Sequence, residues 1–130
     1  MINKDYLYTT VWDDLSTVSL ERNSLYLYAH DPEERSRYCA SILHTHNPDS
    51  IFLELNLDEQ DQATLIGTKE SFSLSSKNAV IGFIRRYNPA IVYLEATGMS
   101  CRLIAPLLRY SIEEQICIKV VYSEPKQYRL

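Results

Sequence analysis

Apolar and polar positions fall into blocks along this chain, and the period of the pattern changes from block to block. Residues 24–29, SLYLYA, are a short run of Leu and Tyr, which fits a buried or half-buried strand. HDPEERSRYCASILHTH follows at once and reads as a helix start. Asp31 is a capping residue, Pro32 suits the first helical position, and Glu34 stands three residues after the cap, as in a capping box. Tyr38 and Ile42, with Cys39, supply an inner face, and Asn47-Pro48 ends the helix. In SIFLELNL (50–57) Ile51, Leu53, Leu55 and Leu57 alternate with Phe52, Glu54 and Asn56, the pattern of a second strand.

The next stretch, DEQDQATLIGTKESFS, is polar and predicts a long connection anchored by Leu65, Ile66 and Phe72. Ser75 or Ser76 then caps a helix through KNAVIGFIRRY, where Val80, Phe83, Ile84 and Tyr87 recur at helical spacing before Asn88-Pro89. AIVYLEA (90–96) is almost wholly apolar, the mark of a central strand covered on both faces. Leu103, Ile104, Leu107 and Leu108 predict a third helix. Pro106 within it lacks a backbone donor, so the helix either kinks or starts later than Ser100. QICIKVVYSE (115–124) is a last β-branched strand.

Strands alternating with helices predict an α/β, Rossmann-like three-layer domain with a mostly parallel sheet and right-handed crossovers. Numbering the four expected strands in chain order, the core strand order is 2-1-3-4. The domain covers 24–130; residues 1–23, with Trp12, Tyr6 and Tyr8, are an arm or an extra strand. The ending VVYSEPKQYRL comes directly after a strand-like run, which suits either a natural end or the N-terminal part of a longer protein.

Composition narrows the class of partner. With 45% hydrophobic and 23% charged residues, 130 residues suffice for one globular core. A net charge of −4 lacks the basic footprint of a duplex nucleic-acid binder, although a local cluster still suits a small anion. Cys39, Cys101 and Cys117 are odd in number and without a CxxC pair, which points to reduced thiols, a cytoplasmic location and no metal site. No apolar run is long enough for a transmembrane helix, so no membrane partner is expected.

In doubly wound sheets ligands sit beyond the carboxyl ends of the strands, where the strand order reverses. That address brings AHDPEERS and EATGMSCR together. Thr97, Gly98, Met99, Ser100 and Arg102 on one side, and His30, Asp31 and Arg35 on the other, are the candidate ligand-binding residues. The helix amides and Gly98 allow close approach of a phosphate, Thr97 and Ser100 add hydroxyls, and either Arg neutralises an anion. His30 directly follows the first strand and suits ligand contact or acid–base work. Glu95 is the candidate catalytic carboxylate. A capped strand-to-helix turn with no ligand accounts for the same residue types. There is no Walker loop, no GxGxxG and no GxSxG.

The stretch IVYLEATGMSCRL resembles the second signature of the CRISPR-associated Rossmann-fold (CARF) sensors, and LYLYAHDPEERS stands where their first signature falls. The pattern is also similar to Rossmann-like modules of bacterial conflict proteins. Thr97 and Gly98 match the signature and Ser100 stands for its hydroxyl residue. Met99 replaces the second Gly, while Cys101 takes the basic position and Arg102 lies one further on. The resemblance implies a nucleotide-binding sensor domain of antiviral defence, without a bound cofactor, that works as a homodimer and passes a signal to a C-terminal effector domain. Two other readings stay open: a nucleotide or NAD glycosidase with Glu95 or Glu33 as its carboxylate, and an oligomerisation domain with no ligand.

Overall fold

A computed structural model describes residues 15–30 and 35–122. Six strands and three helices follow one another as β1 (Ser24–Ala29), α1 (Arg35–His46), β2 (Ile51–Leu57), β3 (Gln62–Leu65), β4 (Ser71–Ser73), α2 (Lys77–Arg86), β5 (Ile91–Glu95), α3 (Cys101–Glu113) and β6 (Ile118–Val121). A 3-10 turn, Leu15–Thr17, precedes them. The chain is an α/β domain with helices on both faces of a mostly parallel sheet, consistent with a Rossmann-like fold.

The sheet order is β4-β3-β2-β1-β5-β6; the four expected strands stand in it as 2-1-3-4, and the full order differs from the expected one by β3 and β4, added beyond β2. Parallel pairing joins β2, β1, β5 and β6, and two short antiparallel strands extend the sheet beyond β2. Those two strands come from the stretch expected to be a long connection. The Asp58 carboxylate accepts the amides of Gln60 (2.8 Å) and Gln62 (3.0 Å), turning the chain back after β2. Gly67 (φ 97°) and Lys69 (φ 62°) then supply the left-handed residues that close β3 onto β4. Ala63 and Leu65 are buried and Phe72 stacks on Phe83, but Ile66 is exposed rather than anchoring.

Each face of the sheet has its own core. Leu25 and Leu27 of β1, Leu55 of β2, and Val92 and Leu94 of β5 lie under Val80, Phe83 and Ile84 of α2 and Leu103 and Leu107 of α3. Tyr26, Ile91 and Tyr93 face Ala40 and Leu43 of α1, together with Leu20 from the segment before β1. The buried stripe of α1 is therefore Ser36, Cys39, Ala40 and Leu43, at helical spacing. Tyr38, expected on that stripe, is 66% exposed, and Ile42 is only half-buried. Cys101 and Cys117 are exposed thiols, whereas Cys39 is buried.

The helix ends follow local chemistry. Ser76 caps α2, its hydroxyl accepting the Ala79 amide at 3.2 Å, and Asn88 takes φ 46° just past the other end. Tyr87 is the C-cap of α2, half-buried rather than part of its buried stripe of Val80, Ile81, Phe83 and Ile84. Helix α3 starts directly after Ser100 and runs through Pro106. The proline has no N–H to offer the Arg102 carbonyl four residues back. The proposed cap at Asp31-Pro32 and residues 1–14 of the arm lie outside the described residues. Residues 15–20 are packed against α1, with Leu20 buried.

Candidate functional site

Strand β1 is the point where the connections diverge. It pairs with β2 on one side, through α1 on one face, and with β5 on the other, whose preceding helix α2 covers the opposite face. The carboxyl ends of β1 and β5, at Ala29 and Glu95, are thus the topological switch point.

On the β5 side the chain turns sharply. The Met99 amide donates to the Ala96 carbonyl at 3.2 Å, and the Thr97 amide donates to the Glu95 carboxylate at 3.1 Å. Gly98 is not among the residues with positive φ, so the turn does not depend on a left-handed glycine there. Ser100 is the N-cap of α3 by position, with its carbonyl accepting the Leu103 and Ile104 amides, yet its hydroxyl makes no cap bond. The first turn of α3 holds no acidic residue. It holds Arg102 instead, a cation at the positive end of the helix dipole. Arg102 is compensated by Asp61 from the turn between β2 and β3, through Nε at 2.9 Å and through a second contact from its terminal nitrogen. Both partners are 57% exposed, so this strap is weakly held.

Other expected residues are placed differently. Met99 lies against the core under α3. Glu95 is fully buried, on the α1 face of the sheet, and it holds the turn through the Thr97 amide. Beside it, the Tyr26 hydroxyl is buried without a hydrogen-bond partner. Burial first, then the charges of Glu95, Cys39 and Tyr28, pushes the Tyr26 phenol far above its usual range. Asp31 lies outside the described residues, and Arg35 is placed only as the first position of α1.

On the β1 side the structure brings together three groups, of which sequence patterns indicated one. His30 leans toward β2, where its Nδ1 lies 2.9 Å from Glu54 Oε2. Arg37, from the first turn of α1, grips the same carboxylate through Nη2 at 2.8 Å and Nε at 3.3 Å. Its Nη2 is also 2.9 Å from His30 Nδ1. The Tyr28 phenol, paired in register with Glu54, is raised by burial and by the Glu54 charge. Burial alone would raise the Glu54 carboxyl, but the bonds from Arg37 and His30 outweigh it and hold Glu54 below the carboxylate range. Glu54 had a visible signal, a lone charge in the apolar alternation of its strand. Arg37 had none, because its role depends on how α1 docks.

The sign of the Glu54 shift fixes a pH dependence. A carboxyl depressed on folding adds stability that is fully present above its ordinary value of 4.5 and is lost as pH falls through the folded value. Glu54→Gln should therefore melt below the wild type near neutral pH, and the gap should close as the pH falls below 4.5. Thermal melts of both proteins across that range check it. Parallel curves would show that the carboxylate is not held by its cations.

Among the described residues no three His, Cys, Asp or Glu side chains gather as metal ligands, and no helix is long and apolar enough to cross a membrane. A recess of about 440 Å³ lies at the opposite, amino ends of β5 and β6, lined in part by Arg85, Asn88, Glu114 and Cys117. Arg85 and Glu114 are already paired there at 3.2 Å. No protein-family model, no curated protein and no solved structure matches the chain.

Proposed function

We propose that this domain binds a small phosphate-bearing ligand of the nucleotide class at the carboxyl ends of β1 and β5, and that it acts as a sensor module. The observation that carries the reading is the start of α3. A 13-residue helix begins at the switch point, its N-cap hydroxyl unused, its first turn free of acids and carrying Arg102. Such an end attracts an anion through its amides and its dipole. An incoming phosphate would replace Asp61 on Arg102, and because that pair is exposed the exchange costs little.

Binding is favoured over catalysis at Glu95, because that carboxylate is fully buried and already accepts the Thr97 amide. A signalling role in antiviral defence, ligand binding across a homodimer and a downstream effector belong to the same reading and rest on the resemblance of the two junction segments to CARF sensors.

Thermal-shift and calorimetric titration with AMP, NAD and a cyclic oligoadenylate test it. A true ligand at about one hundred times its Kd should stabilise the fold by about 2.7 kcal/mol. Arg102→Ala should weaken that ligand at least ~10-fold, the scale of losing a charge-assisted bond, while Asp61→Asn, which frees the guanidinium, should leave it unchanged or tighten it. The reading fails if no nucleotide binds, or if both variants bind as the wild type does.

A further inference from the structure

Two fully buried polar side chains stand beside the start of α3 without being part of its anion site. Tyr26 and Glu95 both lie on the α1 face of the sheet, and solvent reaches neither. Tyr26 pairs in register with Tyr93, and Glu95 follows Tyr93 by two residues on the same face. The two are therefore diagonal neighbours on adjacent strands, a separation that a long aromatic side chain spans. The Glu95 charge is the second cause, after burial, that raises the Tyr26 phenol, in agreement with this placement.

The two buried phenols of this row differ. Tyr93 Oη accepts the Glu21 amide at 3.1 Å. Tyr26 Oη makes no hydrogen bond among the described residues, and a buried hydroxyl without a partner carries the full cost of its desolvation. Its neighbour Glu95 turns Oε2 to the Thr97 amide at 3.1 Å, in the turn that leads into α3. A carboxylate has two oxygens and about four acceptor positions, so it exchanges one donor for another without having to be free of other contacts. The same turn is where an anion would settle. The Met99 amide is held by the Ala96 carbonyl at 3.2 Å, while the Gly98 and Ser100 amides make no hydrogen bond among the described residues.

We propose that Glu95 is a two-position switch: a ligand phosphate on the amides of this turn takes over the Thr97 N–H, and the released carboxylate oxygen accepts the Tyr26 hydroxyl. One hydrogen bond is exchanged for another, and the phenol keeps its proton. Two effects drive the exchange. The negative phosphate repels the carboxylate from the turn, and the carboxylate's arrival at Tyr26 ends the cost of the unmade buried bond. Tyr26 acts through Glu95 and never touches the ligand, so it is a positioning residue. A ligand on the α3 side is thereby registered on the α1 side, the difference between two states that a sensor requires. The switch rests on the proposed nucleotide reading and adds its regulation.

Tyr26→Phe in the full chain separates the two states. In the free protein the hydroxyl makes no bond, so the melting temperature should stay unchanged or rise. In the bound state a bond is lost, so whichever of AMP, NAD and the cyclic oligoadenylate binds the wild type best should bind Tyr26→Phe about 5- to 10-fold more weakly. A merely structural hydroxyl would lower the melting temperature and leave the affinity alone. NMR of the wild type reads the exchange itself: at saturation with that nucleotide the Thr97 amide should shift and a slowly exchanging Tyr26 hydroxyl proton should appear. A lower melting temperature for free Tyr26→Phe would mean that the hydroxyl is already bonded, through a buried water, and overturns the switch. Unchanged affinity overturns it as well, and if Arg102→Ala still weakens the nucleotide the α3 site stands without it. If no nucleotide binds the wild type, both fall.

Discussion

Asn47→Ala should destabilise the domain by about 3 kcal/mol, although the residue sits outside any helix or strand. Its buried side-chain amide joins two parts of the chain that sequence separates. Oδ1 accepts the Leu20 amide at 2.8 Å, and Nδ2 donates to the Val18 carbonyl at 3.0 Å and the Leu43 carbonyl at 2.9 Å. Alanine removes all three bonds and leaves the Leu20 amide buried without its acceptor. An unmade buried donor costs about 1–3 kcal/mol, and each lost bond about 0.5–1.5 kcal/mol. A domain of this size has about 5–15 kcal/mol in total, so a fall in melting temperature on the order of 10 °C follows. Hydrogen exchange gives the site-specific check: the Leu20 amide should lose protection before the amides of β1 do. A loss under about 1 kcal/mol, with Leu20 still protected, would mean that apolar packing of Leu20 alone holds residues 15–20 to α1.

The layout of the domain was legible where an element was long or its pattern strong. β1, β2, β5 and β6 appeared as apolar runs, and α2 and α3 as helical spacing with named caps or breakers. What was not legible has physical causes. β3 and β4 are four and three residues long, too short for period-two alternation to show against a polar background, and they form because Asp58 and Gly67 turn the chain. The buried face of α1 does not show in the sequence because Tyr38 and Ile42 are larger apolar residues than Cys39 and Ala40. Close approach of a helix to a sheet row already filled by Tyr26, Phe52 and Tyr93 favours the small side chains. At the site, the address at the end of β1 and β5 followed from chain order alone. The partners did not: Arg102 with Asp61 spans 41 residues, and His30 with Glu54 spans 24. Only the register of β1 against β2 places Glu54 beside the end of β1.

Leu27→Ala should cost about 3–4 kcal/mol, the largest single effect expected from any substitution discussed above. Leu27 is fully buried at the middle of β1, which, like β5, has parallel neighbours on both sides. The register aligns Leu53, Leu27, Leu94 and Val120 across β2, β1, β5 and β6 as one aliphatic row. Leu27 and Leu94 are the fully buried members of that row, in the core shared with α2 and α3, whereas Leu53 is half-buried. A cavity at Leu27 has strands on both flanks and helices above, so little can relax into it, and the cavity cost adds to the lost transfer energy. Leu53→Ala, one strand out in the same row, should cost about half as much, because solvent already reaches part of the site and the void is smaller. Urea denaturation measures both, with an unchanged m-value showing that the unfolding transition is the same one. Equal losses at the two positions would place the core under β2 rather than under β1. The switch point would then hang from a strand less firmly fixed than the burial of Leu27 implies.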